Sequence, residues 1–231
     1  MPEISTGTDT FRWMDADAYL FDIDGTLLNT RDLVHWNALN RAMLEVYGID
    51  TTIAGISYHG KTDLGILRAA LERAGISSGV FEQRLPLALD VVRRHVNENA
   101  SQLVVEVCRA IPEILEKLHS SGKLLAVASG NLESVGWKKV EAAGLQRYFR
   151  FGCFSDHDEF RADIFKRAVN EARSRSGQQA KVCFIGDTPE DVRAARSAGA
   201  HIIAVCTGVY QAEELSVLGA DACVASCSDL V

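Results

Sequence analysis

The feature that most limits what this chain can fold into is a set of short, almost uninterrupted apolar runs. They lie at residues 18–23, 124–129, 151–155, 181–186 and 201–206. Continuous hydrophobicity, rather than alternation, is how strands buried on both faces read. Between the runs lie stretches with helical spacing, at residues 111–121, 132–143, 163–175, 189–198 and 211–218. Three of these close on glycine, at Gly144, Gly199 and Gly219, the residue that most easily ends a helix in the left-handed conformation. Strand, helix, glycine, strand is the pattern of an α/β protein: a doubly wound parallel sheet, Rossmann-like, with helices on both faces. One segment departs from it. From about residue 30 to residue 107 the spacing predicts helices only (32–47, 64–74 and 80–99) and no buried strand. We therefore expect an α/β core from residues 1–28 and 108–231, and a small all-helical cap domain from residues 29–107. Residues 1 to about 15 read as a loosely held arm.

The composition can sustain such a core, because 47% of the 231 residues are hydrophobic and 24% charged. The formal charge is −7 and no long Lys/Arg block is present, so nothing in the chain's field attracts nucleic acid. No apolar run nears the ~20 residues that span a bilayer. The first 15 residues lack the basic-then-apolar design of a signal peptide. The expectation is a cytoplasmic monomer or dimer with no nucleic-acid or membrane partner. Six cysteines (Cys108, Cys153, Cys183, Cys206, Cys223, Cys227) include no CxxC pair and fit no zinc spacing. Cys153, Cys183 and Cys206 fall inside apolar runs, where a reduced thiol behaves as a small core hydrophobe.

Polar residues of chemical interest gather where the apolar runs end, the level at which open parallel sheets bind ligands. The first run leads into Asp22-Ile23-Asp24-Gly25-Thr26-Leu27. Two aspartates one residue apart face opposite ways while the chain is extended, so both reach one ligand only where the strand ends and turns. Gly25 permits that turn. Burying carboxylates together is costly unless a cation offsets them, so the pair implies a hard metal. A second cluster, Asp187-Thr188-Pro189-Glu190-Asp191, follows the run at 181–186 and sets Asp187 at the same level. Asp22, Asp24 and Asp187 together make an oxygen-rich Mg²⁺ site. Asp191 fits the third position of a helix capped by Thr188, and capping is compatible with a supporting role behind the metal. Ser129-Gly130-Asn131 ends another run just before a helix, where a hydroxyl and free backbone N–H groups make an anion cradle.

In order and context, these three stretches resemble the first, second and fourth motifs of the haloacid dehalogenase superfamily, and the resemblance covers nearly the whole chain from about Ala18. The helical insertion is similar to the cap that phosphoglycolate phosphatase-like and β-phosphoglucomutase-like members carry after the first strand. The resemblance implies a Mg²⁺-dependent phosphomonoester hydrolase acting on a small phosphorylated metabolite. Asp22 would take the phosphoryl group as an aspartyl-phosphate. Asp24 would serve as acid toward the leaving oxygen, then as base toward water. The Asp22 side chain, the Asp24 main-chain carbonyl and the Asp187 side chain would hold Mg²⁺, supported by Thr26 and Asp191. Ser129 and the backbone at Gly130 and Asn131 would hold phosphate oxygens.

The third motif departs from the family pattern. Relatives commonly place a Lys, often followed by Pro, before the helix that here begins near Asp163. This chain reads Asp156-His157-Asp158-Glu159-Phe160-Arg161-Ala162-Asp163. Arg161 is the expected substitute, since its fork can bind phosphate, and Lys166 is the second candidate. His157 among its acids reads as a solvated loop. Substrate choice is assigned to the loop His59-Gly60-Lys61-Thr62-Asp63, which resembles the cap loop that related enzymes lay over the site. Lys61 offers a cation there, and His59 and Thr62 offer hydrogen bonds. Two alternatives stand beside this reading. A phosphomutase would use the same aspartyl-phosphate but pass the group to a sugar hydroxyl. Residues 55–62 also satisfy the P-loop pattern, although the weakly apolar residues 49–54 stand where a P-loop needs a buried strand. The presence of Asp24 argues against a hydrolytic dehalogenase and against a non-catalytic scaffold.

Overall fold

The computed structural model describes residues 11–231. The chain enters its sheet with β1 (Ala18–Phe21), turns into a short strand β2 (Leu28–Thr30) and then forms three helices, α1 (Val34–Tyr47), α2 (Asp63–Arg73) and α3 (Ser78–Glu98). It returns through β3 (Val105–Val107) into α4 (Ile111–Ser120), β4 (Leu124–Ala128), α5 (Glu133–Ala142) and β5 (Phe151–Cys153). The remainder is α6 (Arg161–Ser176), β6 (Val182–Gly186), α7 (Pro189–Ser197), β7 (His201–Val205), α8 (Ala212–Ser216) and β8 (Ala222–Val224). Among the described residues, six of these strands form one parallel sheet in the order β5-β4-β1-β6-β7-β8. This is the doubly wound α/β architecture expected from the apolar runs. The strand order reverses at β1, which opens a crevice beyond the carboxyl ends of β1, β4 and β6. Phe21 is level with Val127 and Ile185, so the residues just beyond bring Asp22, Ser129 and Asp187 to one end of the sheet.

Both faces of the sheet are covered. Tyr19 and Phe21 of β1 pack with Val127, Ile185 and the α4 side chains Ile114 and Leu118 on one face. Ala18 and Leu20 pack with Phe184 and the α6 side chains Ile164 and Phe165 on the other. That two-sided burial is why the strands read as continuous apolar runs. Helices α1 to α3 share a separate apolar cluster that includes Ala38, Met43, Leu67 and Val92, and Leu132 and Val135 beside β4 join it. The insertion thus docks on α5 through apolar contact.

Three expectations need correction. Residues 29–107 are not wholly helical: β3 lies inside that stretch and pairs antiparallel with β2. Each strand has three residues and β3 is only partly covered, so the stretch is too short for a buried run or for its Val-Glu-Val alternation to mark it. The edge strand β8 is missed for the same reason. Of the predicted loose arm, residues 1–10 lie outside the described residues, but residues 11–15 are anchored. Phe11 stacks on His201 at 3.7 Å, and the Tyr19 hydroxyl donates to the Trp13 carbonyl. All six cysteines are free; Cys153 and Cys183 are buried and Cys206 is half-buried. No described helix is long and apolar enough to cross a membrane.

Candidate active site

The turn after β1 is built around Asp187. Gly25 has φ +85°, and a Cβ there would collide with the Asp187 carboxylate, so the backbone closes on this group only where the side chain is hydrogen. The Thr26 hydroxyl donates to Asp187 Oδ1 at 3.1 Å. Asp22, Asp187 and Asp191 are all buried, and each offers a carboxylate oxygen within 4.8 Å of the others. Arg161, the first residue of α6, inserts among them. Its Nη1 pairs with Asp191 and stands 3.5 Å from Asp22 Oδ2.

One cation among three buried carboxylates leaves negative charge uncompensated. Burial, with Asp191 and Asp24 nearby, pushes the Asp22 carboxyl up to about 6 despite Arg161. Burial together with Asp191 and Asp22 holds Asp187 well above the usual carboxylate range. Asp22 Oδ1 and Arg161 Nε are buried without a hydrogen-bond partner among the described residues. An orphaned carboxylate oxygen beside a second carboxylate is a fitting donor set for a hard divalent cation. The orphaned guanidinium N–H suits an anion next to it. Asp191 is a poor ligand by comparison, because Thr188 occupies its Oδ2 and Arg161 its Oδ1. It completes the capping box of α7, so its capping role is realised and it braces Arg161 as well.

Asp24 is placed apart from this cluster. Lys139 Nζ donates to both its carboxylate oxygens at 2.9 and 2.8 Å, Asn131 Nδ2 donates at 2.9 Å and Thr30 Oγ1 at 3.1 Å. Burial works to raise the Asp24 carboxyl, but Lys139 and Asn131 outweigh it and bring it down to about 2. Asn131 also donates to Ser129 Oγ and accepts from Lys139, so Ser129, Asn131, Lys139 and Asp24 form one network. Lys139 escaped the sequence reading. Its signal was available: it shares the buried stripe of α5 with Val135 and Val140, where a lysine is out of place unless it is paired.

The insertion loop reaches this crevice. Asp63 N–H donates to the Gly130 carbonyl, and the Leu132 N–H donates to Asp63 Oδ2, both at 2.8 Å. A Cβ at Gly130 would lie 2.5 Å from the Lys61 carbonyl oxygen, so this approach depends on glycine. Thr62 does not face the crevice as expected. It is buried, caps α2 and donates to the Glu159 carbonyl. His59, Lys61, Asp22, Asp24, Ser129, Gly130, Asn131, Arg161 and Asp187 line one cavity of about 600 Å³, joined by His35 and Trp36 of α1. Lys166 is exposed and pairs with Asp163, leaving Arg161 as the cation of α6 in the site. Residues 49–54 form no strand, so the loop at 55–62 lacks the support a P-loop requires.

A family model described as haloacid dehalogenase-like hydrolase matches residues 19–205. The chain is 26% identical over 205 residues to a phosphoglycolate phosphatase of Mesorhizobium japonicum, covering 84% of this chain and 85% of that protein. It is 28% identical over 183 residues to a phosphoglycolate phosphatase of Aquifex aeolicus, covering 78% and 80% respectively. Its fold is similar to that of CbbY from Rhodobacter sphaeroides, solved in complex with phosphate. That match has a TM-score of 0.68 at 17% identity, over 93% of this chain and 96% of the other.

Proposed function

The chain belongs to the haloacid dehalogenase-like hydrolases, and on that premise we propose that it is a Mg²⁺-dependent phosphatase of small phosphorylated metabolites, working through an aspartyl-phosphate on Asp22. The observation that carries this reading is the buried Asp22 carboxylate, with one oxygen unpartnered and the other 3.5 Å from Arg161. Such an oxygen is a nucleophile held ready, with a cation alongside for the incoming phosphoryl group. Arg161 and the Ser129 hydroxyl bind the phosphoryl oxygens, together with the backbone that opens α5. Asp22 and Asp187 would hold the metal, which would neutralise charge on the transferring group. Asp24, held in place by Lys139 and Asn131, would give a proton to the leaving oxygen as the ester bond breaks and then take the proton of the water that releases phosphate. The helical insertion acts as a cap: its loop roofs the cavity and meets the leaving group.

The phosphoglycolate phosphatase names of the two relatives support a phosphomonoester as substrate. The test is Asp22→Asn, assayed with Mg²⁺ against a panel of phosphorylated metabolites. The amide is nearly isosteric but a poor nucleophile, so turnover should fall by several orders of magnitude with an unchanged circular dichroism spectrum. Retention of more than a few per cent of activity, in protein free of contaminating phosphatase, would overturn the assignment.

A further inference from the structure

The cavity has two compartments of different chemistry. Its deep end is the acidic and basic cluster around Asp22. Its outer part is walled by Trp36, Leu39, Ile53 and Ile66, three of them buried and all contributed by the insertion. Trp36 and Tyr58 stand edge-to-face with ring centroids 5.8 Å apart. Leu33, Tyr58 and Val209 are large apolar side chains left 62%, 39% and 54% exposed, and all three lie on this cavity. Scattered apolar exposure needs no explanation, but apolar exposure gathered on one concave site marks a ligand surface. At about 600 Å³ the cavity falls within the range that encloses drug-sized ligands.

The charges of the outer compartment point the same way. Arg31 is engaged by Glu106 at 2.6 Å, and Lys139 and Arg161 are engaged in the deep cluster. Lys61 alone among the cavity's Lys and Arg side chains has no ion pair among the described residues. Asp32 lies on the same walls, while the buried Asp63 is engaged by His35 and the Leu132 N–H. A leaving group that carries a carboxylate or a second phosphate would meet one exposed lysine there, with Asp32 beside it. A flat ring would meet Trp36, Tyr58 and aliphatic side chains.

Resting on the phosphatase reading above, we propose that the preferred substrate is a phosphate monoester whose leaving group carries an aromatic ring, seated against Trp36 and Tyr58. The His35–Asp63 pair, 3.1 Å apart, offers polar contact to a substituent on that ring.

The experiment compares three unactivated esters with Mg²⁺ present: benzyl phosphate, methyl phosphate and phosphoglycolate. Burial of one ring should make kcat/KM for benzyl phosphate roughly ten-fold or more above that for the other two. Trp36→Ala and Tyr58→Ala should each narrow the benzyl-to-methyl ratio, and the exposed Tyr58 decides the matter if Trp36→Ala does not fold. In parallel, calorimetry should show benzylphosphonate binding wild-type protein more tightly than methylphosphonate, with that difference reduced in Tyr58→Ala. Hydrolysis without a ring preference, or with phosphoglycolate preferred, overturns the inference and leaves the phosphatase reading standing. Ring-dependent phosphonate binding without hydrolysis of any ester removes the phosphatase reading and keeps the ring site. Equal binding of the two phosphonates overturns the ring site whatever the hydrolysis shows.

Discussion

Lys139 projects from the same stripe of α5 that carries Val135 and Val140 into the interior, and its ammonium group donates to Asp24 and Asn131 there. Truncating one member of a buried charge pair costs up to about 3–5 kcal/mol, because the other charge is left without compensation. Asp24 is half-exposed to the cavity, so the stability cost here lies below that range. The functional cost is a different quantity. Without Lys139, Asp24 and Asn131 lose the contact that fixes them relative to Ser129, and the acid and base of the proposed mechanism is no longer held in one place. Lys139→Met should therefore lower kcat by roughly ten- to a hundred-fold, the scale of a mispositioned general base. Steady-state kinetics with a thermal melt checks this: a kcat within two-fold of wild type would show that Asp24 needs no such anchor.

At the scale of elements, the seam between the insertion and the sheet rests on backbone contact. The loop before α2 lies on the Gly130 turn, joined by the Asp63-to-Gly130 and Leu132-to-Asp63 hydrogen bonds. A methyl group at Gly130 would press on the Lys61 carbonyl, and neither backbone has a flexible end that can yield. Gly130→Ala should lift the loop and reduce kcat/KM by roughly ten-fold or more while the sheet melts near its normal temperature, since the sheet core is untouched. Differential scanning calorimetry beside the kinetics separates these outcomes, and a large fall in melting temperature would mean that the seam also holds the core together. A second seam is electrostatic. Asp221, just before β8, accepts from the Ile202 N–H of β7, pairs with Arg196 at the end of α7 and meets His201. Burial works to raise its carboxyl, but these partners outweigh it and the net direction is downward. A group lowered on folding contributes stability above its unfolded value, near 3.8, and loses it as pH falls through the folded value. The stability difference between wild type and Asp221→Asn in urea should be fully present at about pH 6 and shrink below about pH 4. A difference that does not change over that range would assign Asp221 no titrating role.

For the molecule as a whole, the sequence carried the sheet and the polar rim at its carboxyl end but not what faces it from above. Asp22, Ser129 and Asp187 were legible because a strand buried on both faces must become polar where it leaves the sheet, and that change is local. Trp36 and His35 were not, since helical spacing identifies an apolar stripe without saying which part of it lines a cavity. Lys139 was legible from its place in the apolar stripe of α5 but was passed over beside the surface lysine Lys138, and β2 and β3 were hidden by their length. What binds these parts into one site is charge. Asp22, Asp187 and Asp191 converge on a buried point that Arg161 only partly neutralises, so the folded metal-free protein carries an electrostatic cost absent from the unfolded chain. A divalent cation that binds the folded state alone should remove much of that cost. At a hundred times its dissociation constant it stabilises by about 2.7 kcal/mol. At about 2–4 °C per kcal/mol for a chain of this size, the melting temperature should rise by roughly 5–10 °C between EDTA and saturating Mg²⁺ at constant ionic strength. The rise should be lost in Asp187→Ala, which removes a proposed ligand, and retained in Asp24→Asn, whose side chain faces Lys139 rather than the cluster. Equal rises in wild type and Asp187→Ala would place the cation elsewhere on this acidic protein.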